Sequence, residues 1–250
     1  MKHNRLRGWI ALTLAFCLVL GLTGCGDSGK KKTVTGKTPE DTLETFFEAL
    51  SKNDVETMMA CCYVEDYLDR VSFSQYTDRI QSYMPVGGIS APTEYDYYRE
   101  LVGYELRVQY ARSFKMLAFS LLATDAEYEN LLNNMPIQHV DRKWAKSFSR
   151  TVDPETLKDL EVLSIDEDCP EMQRDSKYSK NLLAVTGADD CVERTVLLKL
   201  DGQLFYKGFT LAEIDERWQI YSLSAMLLGE NSNGVATQVD SKQDYRDIIE

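Results

Sequence analysis

Asp166, Glu167 and Asp168 lie in one acidic segment, and Asp189 and Asp190 lie in another. Carboxylates at that density are the hard oxygen donors that calcium takes. They could act together only if the chain drew both segments to one place. A disulfide between Cys169 and Cys191, each directly following one segment, would do so. Neither segment has EF-hand spacing, and solvated acidic loops are the alternative. His139 could serve as a general base beside a carboxylate, although Ile137-Gln138-His139-Val140 equally suits a structural or surface histidine. With His3 the only other histidine and no C-x-x-C pair, a zinc site is not expected. Ser28-Gly29-Lys30-Lys31 matches S-x-x-K but sits in a Gly, Ser and Lys run where no pocket can enclose it. The G-x-S-x-G, H-E-x-x-H and phosphate-loop patterns are absent. No residue is therefore assigned a catalytic role, and no cofactor is called for.

One cysteine has a clearer setting. Lys2, Arg5 and Arg7 precede an uncharged run from Trp9 to Leu22, which ends in Leu22-Thr23-Gly24-Cys25. In order and spacing this resembles the signal of bacterial lipoproteins. The resemblance implies cleavage between Gly24 and Cys25, with a diacylglyceryl group on the Cys25 sulfur and palmitate-type chains as the anchor. The apolar stretch from Gly8 to Gly24 falls short of the roughly 20 residues of a spanning helix. Two acyl chains hold a protein on a membrane where one does not. The expected location is the cell membrane, lipid-anchored and facing outside the cytoplasm.

The chain has 250 residues and a formal net charge of −12. Loss of residues 1–24 would remove three bases and no acids, taking the charge to −15. Nucleic acid is excluded as a partner, because the basic residues are dispersed except at Lys30, Lys31 and Lys32. That triplet could touch anionic headgroups or simply be solvated. Residues 25–37 read as a flexible tether, 38–228 as one α+β domain and 229–250 as a loosely held polar tail. Cys61 and Cys62 follow Met58 and Met59 on an expected helix and read as small buried hydrophobes.

Thr38-Pro39-Glu40-Asp41 opens a helix with the stripe Leu43, Phe46, Phe47 and Leu50, ending near Asn53. Asp54 caps a second helix, and a third runs from Ser74 to Tyr83. Residues 93–134 fit a helix or a strand plus a helix and are read as mainly helical, within an insertion at 86–150. The tyrosines 95, 97, 98, 104 and 110 are assigned chiefly to packing; exposed, they would form a partner or saccharide surface. Leu160 to Ile165 reads as a strand. Val192 to Leu200 and Gln203 to Ile214 form a hairpin about Asp201-Gly202, and Trp218 to Leu223 is the last strand. The expected architecture is N-terminal helices packed on a C-terminal antiparallel meander, with Trp218 covering the helix of Phe46 and Phe47.

Pro39 to Asp54 and Val192 to Leu223 together resemble the nuclear transport factor 2-like (cystatin-like) cone, a helical pair followed by a meander ending in Trp-x-Ile. The span from Val86 to Arg150 is longer than a compact cone needs. The resemblance implies a pocket at the mouth of the sheet. The leading expectation is a membrane-tethered, non-catalytic module that binds a protein or small molecule. A cone enzyme would need a carboxylate with His139 or a Tyr hydroxyl in a pocket. A transporter's ligand receptor would normally need a longer chain.

Overall fold

The computed structural model describes residues 34–80, 90–123, 142–167, 177–229 and 234–250. The first helix, α1 (Pro39–Ser51), is set by a capping box. The Thr38 hydroxyl accepts from Asp41 N at 3.1 Å and the Asp41 carboxylate from Thr38 N at 3.2 Å. Its stripe of Leu43, Phe46, Phe47 and Leu50 is buried. Asn53 turns the chain in the left-handed region at φ 57°. Asp54 then caps α2 (Val55–Ala60), and α3 (Glu65–Arg70) and α4 (Phe73–Ile80) follow. The long helix α5 (Asp96–Leu122), α6 (Arg142–Thr151) and a 3₁₀ turn (Pro154–Asp159) lead into β1 (Glu161–Glu167). After α7 (Lys177–Thr186) come β2 (Asp190–Leu200), β3 (Gln203–Ile214), β4 (Arg217–Ser222), β5 (Thr237–Val239) and α8 (Lys242–Ile249).

The sheet is antiparallel in the order β1-β2-β3-β4, with β5 also paired to β3. Asp201 (φ 51°) and Gly202 (φ 81°) both occupy positive φ, as a type I′ turn requires, and register runs from Leu200↔Gln203 to Asp190↔Glu213. The next turn uses Asp215 (φ 48°) and Glu216 (φ 62°), so Arg217 already belongs to β4. Its strain is opposed by tethers on Asp215: its N–H donates to Asp189 Oδ2 at 2.9 Å, and its carboxylate accepts from Arg70 at 2.7 Å.

Strand parity divides the sheet into two faces. Val196, Leu198, Phe205, Phe209 and Leu211 meet α1 and α5 in the main core. Phe46 packs at ring-centroid distances of 5.4 Å from Phe47, 5.5 Å from Phe114 and 5.8 Å from Phe209. Trp218 is buried in the same core, and its carbonyl accepts from the Thr42 hydroxyl of α1 at 2.9 Å. This is the α+β architecture expected, with helices in the first half and the antiparallel sheet in the second.

As the mainly helical reading expected, residues 96–122 form one helix, whose Leu106, Tyr110, Phe114, Leu117 and Leu121 wall the main core. Three expectations are corrected. Gly36, assigned to the tether, is part of the fold: its carbonyl accepts from Trp218 N at 3.1 Å. Trp218 to Leu223 is not the last strand, since β5 follows. The segment 234–250 is no loose tail, because Val239 and Tyr245 pack with Leu197 on the second face of the sheet. There Tyr245 is anchored through its hydroxyl, which donates to Asp166 at 2.7 Å.

Candidate functional site

Helix α5 carries two apolar rows on opposite sides. At 100° per residue, Val102, Leu106, Tyr110, Leu117 and Leu121 point one way and are buried. Tyr97, Leu101, Tyr104 and Val108, spaced by four, three and four residues, point the other way and are 70%, 43%, 60% and 49% exposed. Tyr95 and Tyr98 extend that row, with Tyr98 packed edge-on to Tyr97 at 5.3 Å. Among the described residues ten large apolar side chains are exposed, and six of them are these. The expectation that most of these tyrosines pack inside holds for Tyr110 and fails for Tyr95, Tyr97, Tyr98 and Tyr104. The core needs only one face of α5, and the inward row already fills it.

The helix is firmly held. Arg99 donates to the Leu68 carbonyl at 2.8 Å and to Asp69 at 2.6 Å, and Arg107 pairs with Glu65. The Tyr110 hydroxyl lies 2.9 Å from both the Ile220 and Tyr221 carbonyls; burial pushes its pKa well up, so it remains a donor. Ala236 N donates to Ser120 Oγ at 2.9 Å, tying the C-terminal segment to α5. An exposed aromatic face on a fixed helix loses little entropy when covered, which is what an interaction surface requires.

A second feature is a crevice of about 280 Å³ between β1, β2 and α8. Leu163, Leu197 and Ile249 supply its apolar lining, with Lys242 and Arg246 at the rim. Inside, Asp166 Oδ2 accepts from Ser164 Oγ at 2.6 Å as well as from Tyr245. The main-core face of the sheet, where a cone would open its pocket, is filled by Phe46, Phe47, Phe114 and Phe209.

The other sequence candidates separate. Cys25, Gly24, Ser28, Lys30, Lys31, Lys32, His139, Asp168 and Cys169 lie outside the described residues. Asp166 pairs with Thr195 across the ladder, and Asp190 lies five residues away along β2, about 17 Å at the rise of an antiparallel strand. Asp189 instead holds the β3–β4 turn, and among the described residues no three potential ligands cluster as a metal site. Cys191 is half-buried with Sγ 3.9 Å from the Ser179 carbonyl, and burial raises its thiol pKa. Cys61 is pushed up to about 12 by burial, then by Asp54, and burial holds Cys62 well up; neither is a ready nucleophile.

Lys207 escaped the sequence reading. It is fully buried on the main-core face between Phe205 and Phe209, and it is not an isolated charge. Its parity with the two phenylalanines was the available signal.

No protein-family model matches this chain, and no curated protein matches it. A solved structure does: the crystal structure of a cystatin-like protein from Ruminococcus gnavus ATCC 29149 at 2.10 Å resolution, with a TM-score of 0.53 and 19% identity. The match covers 81% of this chain and 45% of that one, so this chain spans less than half of its neighbour. The fold is cystatin-like. At this identity the likeness concerns architecture alone. Within the cystatin-like fold described here, the helix-facing side of the sheet is packed with phenylalanine, and most of the exposed large apolar side chains among the described residues lie on or beside the outward face of α5.

Proposed function

We propose that this chain is a non-catalytic binding module, tethered to the outer side of a cell membrane through lipidated Cys25, that engages a protein partner with the outward face of α5. The observation that carries the binding reading is the exposed row Tyr97-Leu101-Tyr104-Val108 on a helix whose other face is already packed. The tether reading rests on Leu22-Thr23-Gly24-Cys25 after an uncharged run. No helix among the described residues is long and apolar enough to cross a membrane. Cys25→Ser should release the chain from membranes or stall its precursor, whereas an unmodified Cys25 in the membrane-bound mature protein would refute the anchor. A photo-cross-linking side chain at position 104 should yield a protein adduct in cells. Absence of any adduct, with thermal stability unchanged, would refute the α5 surface.

One observation favours an enzyme instead: Asp166 and the Tyr245 hydroxyl share the β1–α8 crevice. Tyr245 also lies 3.2 Å from the Thr195 carbonyl, so Asp166, Ser164 and Tyr245 form a closed structural network. Asp166→Asn should therefore lower the melting temperature. An unchanged melt combined with loss of a small-molecule complex would move the function to this crevice.

A further inference from the structure

We infer that the crevice between β1, β2 and α8 binds a small zwitterion with an apolar side chain, of which an apolar α-amino acid is the simplest kind. The site is separate from α5, and neither reading depends on the other.

One wall of the crevice is helical. Lys242, Tyr245, Arg246 and Ile249 are spaced by three, one and three residues, so they form one stripe of α8, and all four line the crevice. Tyr245 and Ile249 belong to the same apolar cluster as Leu197, so this stripe is the one that faces the sheet. A helix ordinarily fills such a stripe with apolar residues and turns its charges to solvent. Here two of the four places hold cations, and neither Lys242 nor Arg246 forms an ion pair among the described residues. Asp244 and Asp247, on the same helix, are bonded elsewhere: Asp244 accepts from Ser241 Oγ and Asp247 from Gln243 Nε2, each at 2.8 Å.

The strand wall carries the opposite charge. β1 has a bulge: Val162 pairs with Leu198 and Ser164 with Leu197, leaving Leu163 as the extra residue. The bulge lets Leu163 and Ser164, consecutive in sequence, line the same crevice, with Asp166 beside them. The two hydroxyls that donate to Asp166, from Ser164 and Tyr245, both end on Oδ2. Oδ1 takes no hydrogen bond among the described residues and is not one of the buried unpartnered atoms, so it stays accessible.

One carboxylate oxygen and two cations therefore line one crevice without neutralising one another. A simple anion would meet Asp166 as well as the cations, and a simple amine would meet the cations as well as Asp166. A molecule with both a carboxylate and an ammonium suits both walls: Lys242 and Arg246 donate charge-assisted hydrogen bonds to the carboxylate, and the ammonium donates to Asp166 Oδ1. Leu163, Leu197 and Ile249 cover its side chain. At about 280 Å³ the crevice falls just below the roughly 300–1,000 Å³ of sites for drug-sized ligands, which suits a single amino acid.

Calorimetric titration of the full-length chain with L-leucine tests the site, and leucine should bind at one molecule per chain. Three analogues should each bind at least about tenfold more weakly: 4-methylpentanoate, which lacks the amine, 3-methylbutylamine, which lacks the carboxylate, and glycine, which lacks the side chain. Lys242→Gln combined with Arg246→Gln should weaken leucine by a similar factor with the melting temperature unchanged, because both side chains are exposed and unpaired. Asp166→Asn should lose leucine too, but it also removes a structural bond, so the double variant is the deciding one. No binding of leucine to the native chain would overturn the inference. So would 4-methylpentanoate or 3-methylbutylamine binding as tightly as leucine, or an unchanged leucine affinity in the double variant.

Discussion

The inward and outward rows of α5 share valine, leucine and tyrosine, with Phe114 added on the inward side, yet one is core and the other is surface. Tyr110 and Tyr104 show where the difference lies. Tyr110 delivers its hydroxyl to two backbone carbonyls of the β4 region while its ring is buried. Tyr104 places its ring in solvent, with its hydroxyl 3.4 Å from Glu100 one turn back. A buried tyrosine needs a partner for its polar tip, so acceptor placement, more than hydrophobicity, tells the two faces apart.

The largest test of that contrast is truncation of one core and one surface aromatic. Trp218→Ala, in the core that α1 and α5 share, should cost about 3–5 kcal/mol, a large part of a domain's stability. Tyr97→Ala should stay within about 0.5 kcal/mol. Equal losses in thermal or denaturant melts would show that the outward row is also core.

A smaller effect is expected at the tip of Tyr110. Tyr110→Phe keeps the ring and removes only the donor to the Ile220 and Tyr221 carbonyls, which should cost on the order of 1–3 kcal/mol. The same change at Tyr104 should be neutral. A neutral Tyr110→Phe would remove acceptor placement as the explanation.

The smallest effect concerns Glu213. Burial raises its pKa, and Asp190, Asp189 and Glu216 add to the rise. A carboxyl raised on folding favours its protonated form, so the folded state is penalised above the folded pKa, and the penalty fades as pH falls below the unfolded value. Glu213→Gln should therefore raise the melting temperature slightly at neutral pH, with the gain vanishing in acid. A gain that grew on acidification would have the wrong sign.

Much of the fold was legible because its determinants are local. The Thr38 to Asp41 box and the Asp201-Gly202 turn carry their geometry within a few residues. The packing of 234–250 was not legible, because the fit of Tyr245 depends on Asp166 and Leu197, distant in sequence and adjacent only across the sheet. The long helix was ambiguous because apolar residues on both of its faces satisfy strand and helix periods alike. The tyrosine cluster was visible as a composition, while its exposure depended on which row the core had room for. Lys207 was readable in principle, since alternation from Phe205 to Phe209 puts it on their face.

The most direct test of the binding surface is the labelling rate of Tyr104→Cys by a small aqueous maleimide, in membranes and again after detergent dissolution and dilution. Val55→Cys, at an exposed position on another helix, serves as the control. Slow labelling at 104 in membranes and fast labelling after dilution, with position 55 fast in both, is the expected result. Equally fast labelling at 104 in both states would mean that the face is bare. Slow labelling in both would mean that the chain covers it itself, and either result would contradict the account.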